Sequence, residues 1–320
     1  MGGPPYDGRV ELTSPYPPAE TAITPELVRG LLADQHPDLA NLVLGARTEG
    51  WDNVTTRLGP TLAVRMPRLA ASAPLTDREI VWLPRFGSGW SFGAPIPVRV
   101  GKPGRGYPWN WSVVPWFDGV DAAIEPLRNA GVAELGRALR EIHVPAPRGA
   151  PHTPWRTTSL KARRAETLDH LDRLDRQPLP DTSSWDSAAA RALWSDAASL
   201  PWAASHWVHA DIHVRNLVTR DGRLSAILDW GESGAGDPAQ DIGQLWLLLD
   251  SADAEEALDA YGPVDGWTLR RARGEALVTA ARLMSTKDPG FVASAWRGLT
   301  NLGLATGDPP SALDEPADQG

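Results

Sequence analysis

The chain has 320 residues, 42% of them apolar and 22% charged, which excludes wholesale disorder and is enough to bury a sizeable core. Lys and Arg number 31 against 40 Asp and Glu, a formal charge of −9 that disfavours non-specific binding to nucleic acid or an anionic membrane surface. There is no cysteine, so disulfides, thiolate metal sites and cysteine nucleophiles are excluded together. No basic stretch followed by an apolar run opens the sequence, and no window holds about 18 consecutive apolar residues. The expectation is a soluble, cytoplasmic protein with no nucleic-acid or membrane partner.

In chain order, residues 1–20 are rich in Gly and Pro and are expected to form a flexible arm. Thr24 ahead of Pro25 and Glu26 has the chemistry of an N-cap followed by proline at the first helical position. A helix is predicted from there through Leu27, Val28, Leu31 and Leu32, ending near His36-Pro37. Three β-like stretches follow, at 42–47, 54–58 and 62–66. The turn residues Glu49-Gly50-Trp51-Asp52-Asn53 and Gly59-Pro60 separate them, which predicts an antiparallel meander. Residues 75–86 have helical spacing, with Pro84 expected to distort the last turn. Residues 96–100 and 111–117 read as strands around the Gly/Pro-rich 101–110.

After Asp118-Gly119 helical periodicity dominates, with helices predicted at 132–143, 160–174, 187–200, 253–261 and 267–284. A compact β-like island interrupts them at 207–209, 216–218 and 224–229, with turns at Asp221-Gly222 and 231–236. The fold class is therefore α+β. A small sheet-rich lobe at 21–117 precedes a larger helical lobe at 118–306, and the acidic 307–320 is expected to be a disordered tail.

The densest polar cluster lies in the β island: His209-Ala210-Asp211-Ile212-His213-Val214-Arg215-Asn216, then Ile227-Leu228-Asp229-Trp230-Gly231. A hairpin through Asp221-Gly222 would bring Asn216 and Asp229 to one end of a two-stranded ribbon. A carboxylate and an amide carbonyl together form a hard-oxygen cation site. Two protein ligands suit Mg2+, which keeps waters and takes further ligands from phosphates. Asp211, on the loop before, is then placed to orient a hydroxyl and accept its proton.

This spacing, His209-x-Asp211 with Asn216 and then Asp229, resembles the catalytic segment of the protein-kinase-like superfamily. His-Ala-Asp-Ile-His, Asp-Trp-Gly and the run Gly236-Asp237-Pro238-Ala239-Gln240-Asp241 are similar specifically to the aminoglycoside phosphotransferase family. The resemblance implies a bilobal kinase-like fold and transfer of the γ-phosphate of ATP or GTP, with Mg2+, to a small-molecule hydroxyl. The implied roles are Asp211 as catalytic base, Asn216 and Asp229 on Mg2+, and His209 as a brace for the loop. Asp237 and Asp241 would support the C-terminal lobe, Asp237 serving equally well as a helix cap. In the N-terminal lobe Arg65 stands where a lysine is usual, with Glu79 as its partner. Gly50 and Asn53 mark the expected phosphate loop, and Val114, Trp116 and Phe117 the wall for the base.

For the acceptor, the expectation is an antibiotic or related natural product of aminoglycoside, macrolide or nucleoside type. Glu232, Asp250 and Asp253 are candidates to receive a cation, and Trp155, Trp202, Trp246 and Trp296 to stack on a ring. The alternatives are a metabolite kinase of the same fold, a nucleotide-binding pseudokinase, and a metal-dependent hydrolase with His209, Asp211 and His213 as alternating zinc ligands.

Overall fold

Thr24 Oγ1 accepts the N–H of Leu27 at 3.2 Å and starts α1 (Pro25–Gln35), as the cap chemistry requires. The computed structural model describes residues 18–202 and 204–310, so most of the expected arm and tail lies outside the described residues. The chain divides into two compact units, Met1–Asp77 with Pro97–Trp116, and Arg78–Ile96 with Phe117–Gly320.

In the first unit, α1 is followed by β1 (Leu44–Glu49), β2 (Asn53–Leu58) and β3 (Leu62–Pro67). The first five residues of α2 (Ala73–Phe86) come next, then β4 (Arg99–Gly101) and β5 (Trp111–Pro115). The five strands form an antiparallel sheet in the order β1-β2-β3-β5-β4. On β2 the buried positions alternate as Val54, Thr56 and Leu58, the period of a half-buried strand. That face packs with Leu31 and Leu32 of α1 and with Val64, Met66 and Trp111. The strand expected at 96–100 is shorter and later than its apolar run suggests. Pro95 and Pro97 lack N–H donors, and the ladder begins only at Arg99.

In the second unit, the rest of α2 leads through a short 3-10 turn (Gly87–Gly89). Phe86 stacks on Trp207 and Trp90 on Trp230, each at 4.5 Å between ring centroids. Such pairs contribute ~0.5–1.5 kcal/mol beyond their burial, and they fix residues 78–96 to this unit. Next come β6 (Val120–Asp121), α3 (Ala130–Ile142), α4 (Arg164–Asp175), β7 (Ser184–Trp185), α5 (Ser187–Ala198) and β8 (His206–Val208). The hairpin of β9 (Leu217–Arg220) and β10 (Arg223–Ile227) follows, then β11 (Gly234–Gly236). The chain ends on α6 (Ala239–Ile242), α7 (Leu245–Leu248), α8 (Ser251–Tyr261), α9 (Gly266–Met284), α10 (Pro289–Asn301) and β12 (Ala305–Thr306).

The hairpin turns on Asp221 and Gly222 at φ 54° and 71°, the left-handed pair a tight antiparallel connection needs. Strand β6 adds to its β9 side, while β8 pairs instead with β11. The segment that Asp237 precedes forms two short helices, joined where Gln244 N–H reaches the Asp241 carbonyl in a tighter turn. Helix α10 is absent from the sequence reading, although Asp288-Pro289 starts it as a cap and first-turn proline. Gly307 and Asp308, at the start of the expected tail, accept from Trp296 Nε1 and Ser183 Oγ. No helix among the described residues is long and apolar enough to cross a membrane.

Candidate active site

The segment His209-Ala210-Asp211 leaves β8 in a conformation that a side chain must secure. Ala210 has φ 67°, a left-handed backbone that costs an alanine energy. The fully buried Asp241 carboxylate accepts the N–H of His209 at 2.7 Å and of Ala210 at 2.8 Å. His143 Nε2 closes on the same carboxylate at 3.1 Å, and His143 Nδ1 lies 3.0 Å from the Tyr261 hydroxyl. Burial, with Asp241 nearby, pushes that phenol up to about 12.

His209 is itself buried, and both its ring nitrogens are committed. Nε2 donates to the Leu228 carbonyl at 3.0 Å, and Nδ1 accepts the N–H of Asp211 at 3.2 Å. Burial lowers its pKa, so the ring is neutral in this single tautomer. A histidine whose two nitrogens serve the backbone cannot also bind zinc, and this corrects the hydrolase alternative built on His209, Asp211 and His213. Among the described residues no three His, Asp or Glu side chains are grouped to hold a metal ion.

Asp211 follows on the loop, its side chain 15% exposed. Arg156 Nη2 lies 2.8 Å from Oδ1, and His213 Nε2 lies 3.6 Å from Oδ2. Burial alone would raise this carboxyl; Arg156 and His213 outweigh it and hold it far below the usual carboxylate range. Asn216 Nδ2 donates to the Asp211 carbonyl at 2.9 Å. The Asn216 carbonyl in turn accepts the N–H of Leu228 at 2.8 Å, which extends the hairpin pairing by one residue. Asn216 and Asp229 therefore leave the same end of the ribbon. Asp229 has φ 61°, and the next N–H, of Trp230, is held by Glu79 Oε1 at 2.7 Å. With Nδ2 of Asn216 spent on the loop, its amide oxygen is the end available to a cation. Amide and carboxylate oxygens suit a hard divalent ion such as Mg2+.

Arg156 carries no sequence signal. Its loop, between α3 and α4, lacks periodicity, and only the fold brings it to Asp211. The loop is laced into the unit. Ala235 N–H donates to Pro151 O at 2.9 Å, Thr153 N–H to Thr157 Oγ1 at 2.8 Å, and Gln240 Nε2 to Arg156 O. Trp155, 58% exposed, donates Nε1 to Glu232 Oε1 at 3.1 Å. Burial raises the Glu232 carboxyl, whose Oε2 is enclosed without a hydrogen-bond partner.

The remaining candidates separate by environment. Asp250 caps α8 by accepting Asp253 N–H at 3.0 Å, and Trp296 is a core residue bonded to Gly307 O. Asp237 accepts from Ala239 N–H at 3.0 Å and from Arg271 Nε, so it is a cap and an ion-pair partner at once.

In the first unit, Arg65 is largely buried on β3, opposite Thr55 and Ser112. Gly50 and Asn53 close the β1–β2 turn, with Gly50 N–H donating to Asn53 O at 2.9 Å. Arg68 Nη1 donates to Gly50 O at 2.8 Å, and Thr76 Oγ1 to Asn53 Oδ1 at 3.2 Å. Val114 pairs with Ala63 in the sheet. Trp116 N–H donates to Thr61 O at 2.8 Å, under the Arg57 guanidinium at 5.0 Å from the indole.

Residues 44–274 match the sequence model of the phosphotransferase enzyme family, APH. No curated protein matches the chain. The structure is similar to that of APH(2")-IIia in complex with GDP and kanamycin, with a TM-score of 0.57 and 17% identity over 86% of this chain and 97% of the other. It is similar to the macrolide 2'-phosphotransferase MphH from Brachybacterium faecium, with a TM-score of 0.55 and 20% identity over 81% and 89% of the two chains. The streptomycin–ATP complex of APH(2")-IIa gives a TM-score of 0.53 and 15% identity over 82% and 89%. At such identities the likeness shows the fold: a five-stranded antiparallel sheet in the N-terminal part and a helical C-terminal part.

Proposed function

The chain belongs to the phosphotransferase enzyme family, and on that premise we propose that it moves the γ-phosphate of ATP or GTP to a hydroxyl of an antibiotic or related natural product. The observation that carries this reading is the junction of Asp211 and Asn216, where Asn216 Nδ2 holds the Asp211 carbonyl at the ribbon end from which Asp229 also departs. GDP and ATP stand in two of the similar structures, which supports a nucleotide as donor.

Phosphoryl transfer asks little covalent chemistry of the protein; it asks for position and charge neutralisation. Asp211 is the residue to receive the acceptor hydroxyl. Arg156 favours its ionised form, so it orients the O–H and accepts its proton late in transfer. His209 and Asp241 hold the loop that carries it. Asn216 and Asp229 would hold Mg2+, which when bound neutralises triphosphate charge. Arg65, Glu79, Gly50, Asn53, Val114 and Trp116 are the proposed nucleotide residues. Arg65 offers a planar cation where a lysine would offer a point charge.

The test is a product-mass screen of hydroxylated antibiotics with Mg2+ and either nucleotide. A phosphate added to one of them, lost on Asp211→Asn, supports the reading. Turnover only of a central metabolite would replace the acceptor class, and nucleotide binding with no transfer would favour the pseudokinase.

A further inference from the structure

The C-terminal ends of α4 and α9 border a cavity of about 240 Å³, lined by Arg173, Arg176, Gln177, Pro178 and Ser285. Arg173 lies in the last turn of α4, Arg176 is its C-cap, and Ser285 is the C-cap of α9. Pro178 has no N–H to continue a helix, so the chain leaves α4 through Arg176 and Gln177. The end of a helix ordinarily offers free carbonyls, which attract cations. Four of them are taken by turns here. Arg173 O and Leu174 O accept the N–H groups of Arg176 and Gln177, each at 3.1 Å. Arg282 O accepts Ser285 N–H at 3.2 Å, and Leu283 O accepts Thr286 N–H at 3.0 Å.

No carboxylate lines the cavity, and the acids of the neighbouring turns are committed elsewhere. Asp169 holds Arg173 Nη2 at 2.7 Å. Asp172 and Asp175 both hold Arg191 Nη2, at 2.7 and 2.6 Å, and Asp175 also accepts from Trp185 Nε1 at 2.8 Å. Among the described residues the Arg176 side chain makes no hydrogen bond and no ion pair, and neither does the Ser285 hydroxyl. Gln177 Nε2 is enclosed without a hydrogen-bond partner, a costly state for a donor. The cavity therefore gathers the unmatched charge of Arg176, an unpaired amide N–H2, a hydroxyl and the N–H groups that Arg173 does not spend on Asp169.

We propose that this cavity is a second binding site, for the phosphate group of a small molecule, with Arg176 supplying the charge and Gln177 Nε2 and the Ser285 hydroxyl the flanking donors. A phosphate presents acceptor oxygens in several directions, which matches donors arriving from the ends of two helices, whereas a carboxylate presents only two. The volume is several times the ~30 Å³ share of one liquid water, so a short carbon stem fits beside the phosphate. None of the lining residues belongs to the candidate active site, and the site stands independently of the role of Asp211.

The test is calorimetric titration of inorganic phosphate, glycerol 3-phosphate and acetate into the full-length protein. Mg2+ and a non-hydrolysable nucleotide are present throughout, so that the added phosphates do not report on the proposed nucleotide residues. At least one of the two phosphates should bind once per chain, about tenfold or more tightly than acetate. Tighter binding of inorganic phosphate identifies the free ion as the ligand, and tighter binding of glycerol 3-phosphate a phosphomonoester. Arg176→Gln and Gln177→Glu should each weaken that binding by about tenfold or more, the scale of one hydrogen bond to a charged group, with the melting temperature retained. Ser285→Ala should weaken it less. The inference is overturned if neither phosphate binds, if acetate binds as well as they do, or if folded Arg176→Gln and Gln177→Glu keep the affinity of the wild type.

Discussion

Arg156 Nη2 sits 2.8 Å from Oδ1 of Asp211, so the carboxylate proposed as base is already engaged by a cation on one of its two oxygens. Burial works to raise this carboxyl, and Arg156 does most to overcome that. Replacement by Arg156→Gln should therefore let burial prevail. The acid limb of the pH profile of kcat/KM should move up by about one pH unit or more, the usual effect of losing a close opposite charge. The sign for stability follows from the lowered pKa. The pair stabilises the fold above the ordinary carboxylate value of 3.8 and is lost as pH falls below it. Acid unfolding curves of Arg156→Gln should accordingly be flatter below pH ~4 than those of the wild type.

Asp211→Asn keeps the shape of the side chain and removes its charge. Transfer should fall by ~10²–10⁴-fold, while nucleotide affinity changes little, because Asn216 and Asp229 are untouched. Single-turnover transfer alongside nucleotide titration checks both halves.

Asp229→Asn and Asn216→Ala should act on the metal instead. Asn tolerates the left-handed backbone at φ 61°, so Asp229→Asn tests the carboxylate without straining the turn. The Mg2+ concentration needed for half-maximal transfer should rise by about tenfold or more for each variant. An unchanged Mg2+ dependence with normal turnover would remove both residues from the metal site.

Asp241→Ala should unfold the protein more readily before it affects chemistry. It strands the N–H groups of His209 and Ala210 in a buried place, along with His143 Nε2. At ~1–3 kcal/mol for each of the three unsatisfied groups, a loss of ~3–9 kcal/mol is expected in denaturant unfolding. Asp241→Asn retains one acceptor oxygen and should lose about half of that.

The segment 209–243 was legible because its geometry is local. A strand, a five-residue spacing, a turn of Asp221-Gly222 and a second strand suffice to place Asn216 and Asp229 at one ribbon end. The cap at Thr24 and the meander were readable for the same reason. What the sequence withheld was long-range. Arg156 reaches Asp211 from a loop without pattern, and Glu79 reaches Trp230 N–H from the middle of α2. Helix α10 had a visible start at Asp288-Pro289, but its apolar residues contact α7 and α9, so its worth depends on partners the sequence does not name. His209 looked like a metal ligand only while the carbonyl of Leu228 and the amide of Asp211 were out of view.

The loop bearing Trp155 and Arg156 is stitched at Pro151, Thr153 and the Arg156 carbonyl to the same unit that carries Asp211. Insertions or grafts there would drag Asp211, the proposed base, out of line through its contact with Arg156. A change of side chain at Trp155 leaves that main-chain stitching intact, because the bonds that hold the loop run through Pro151 O, Thr153 and the Arg156 carbonyl.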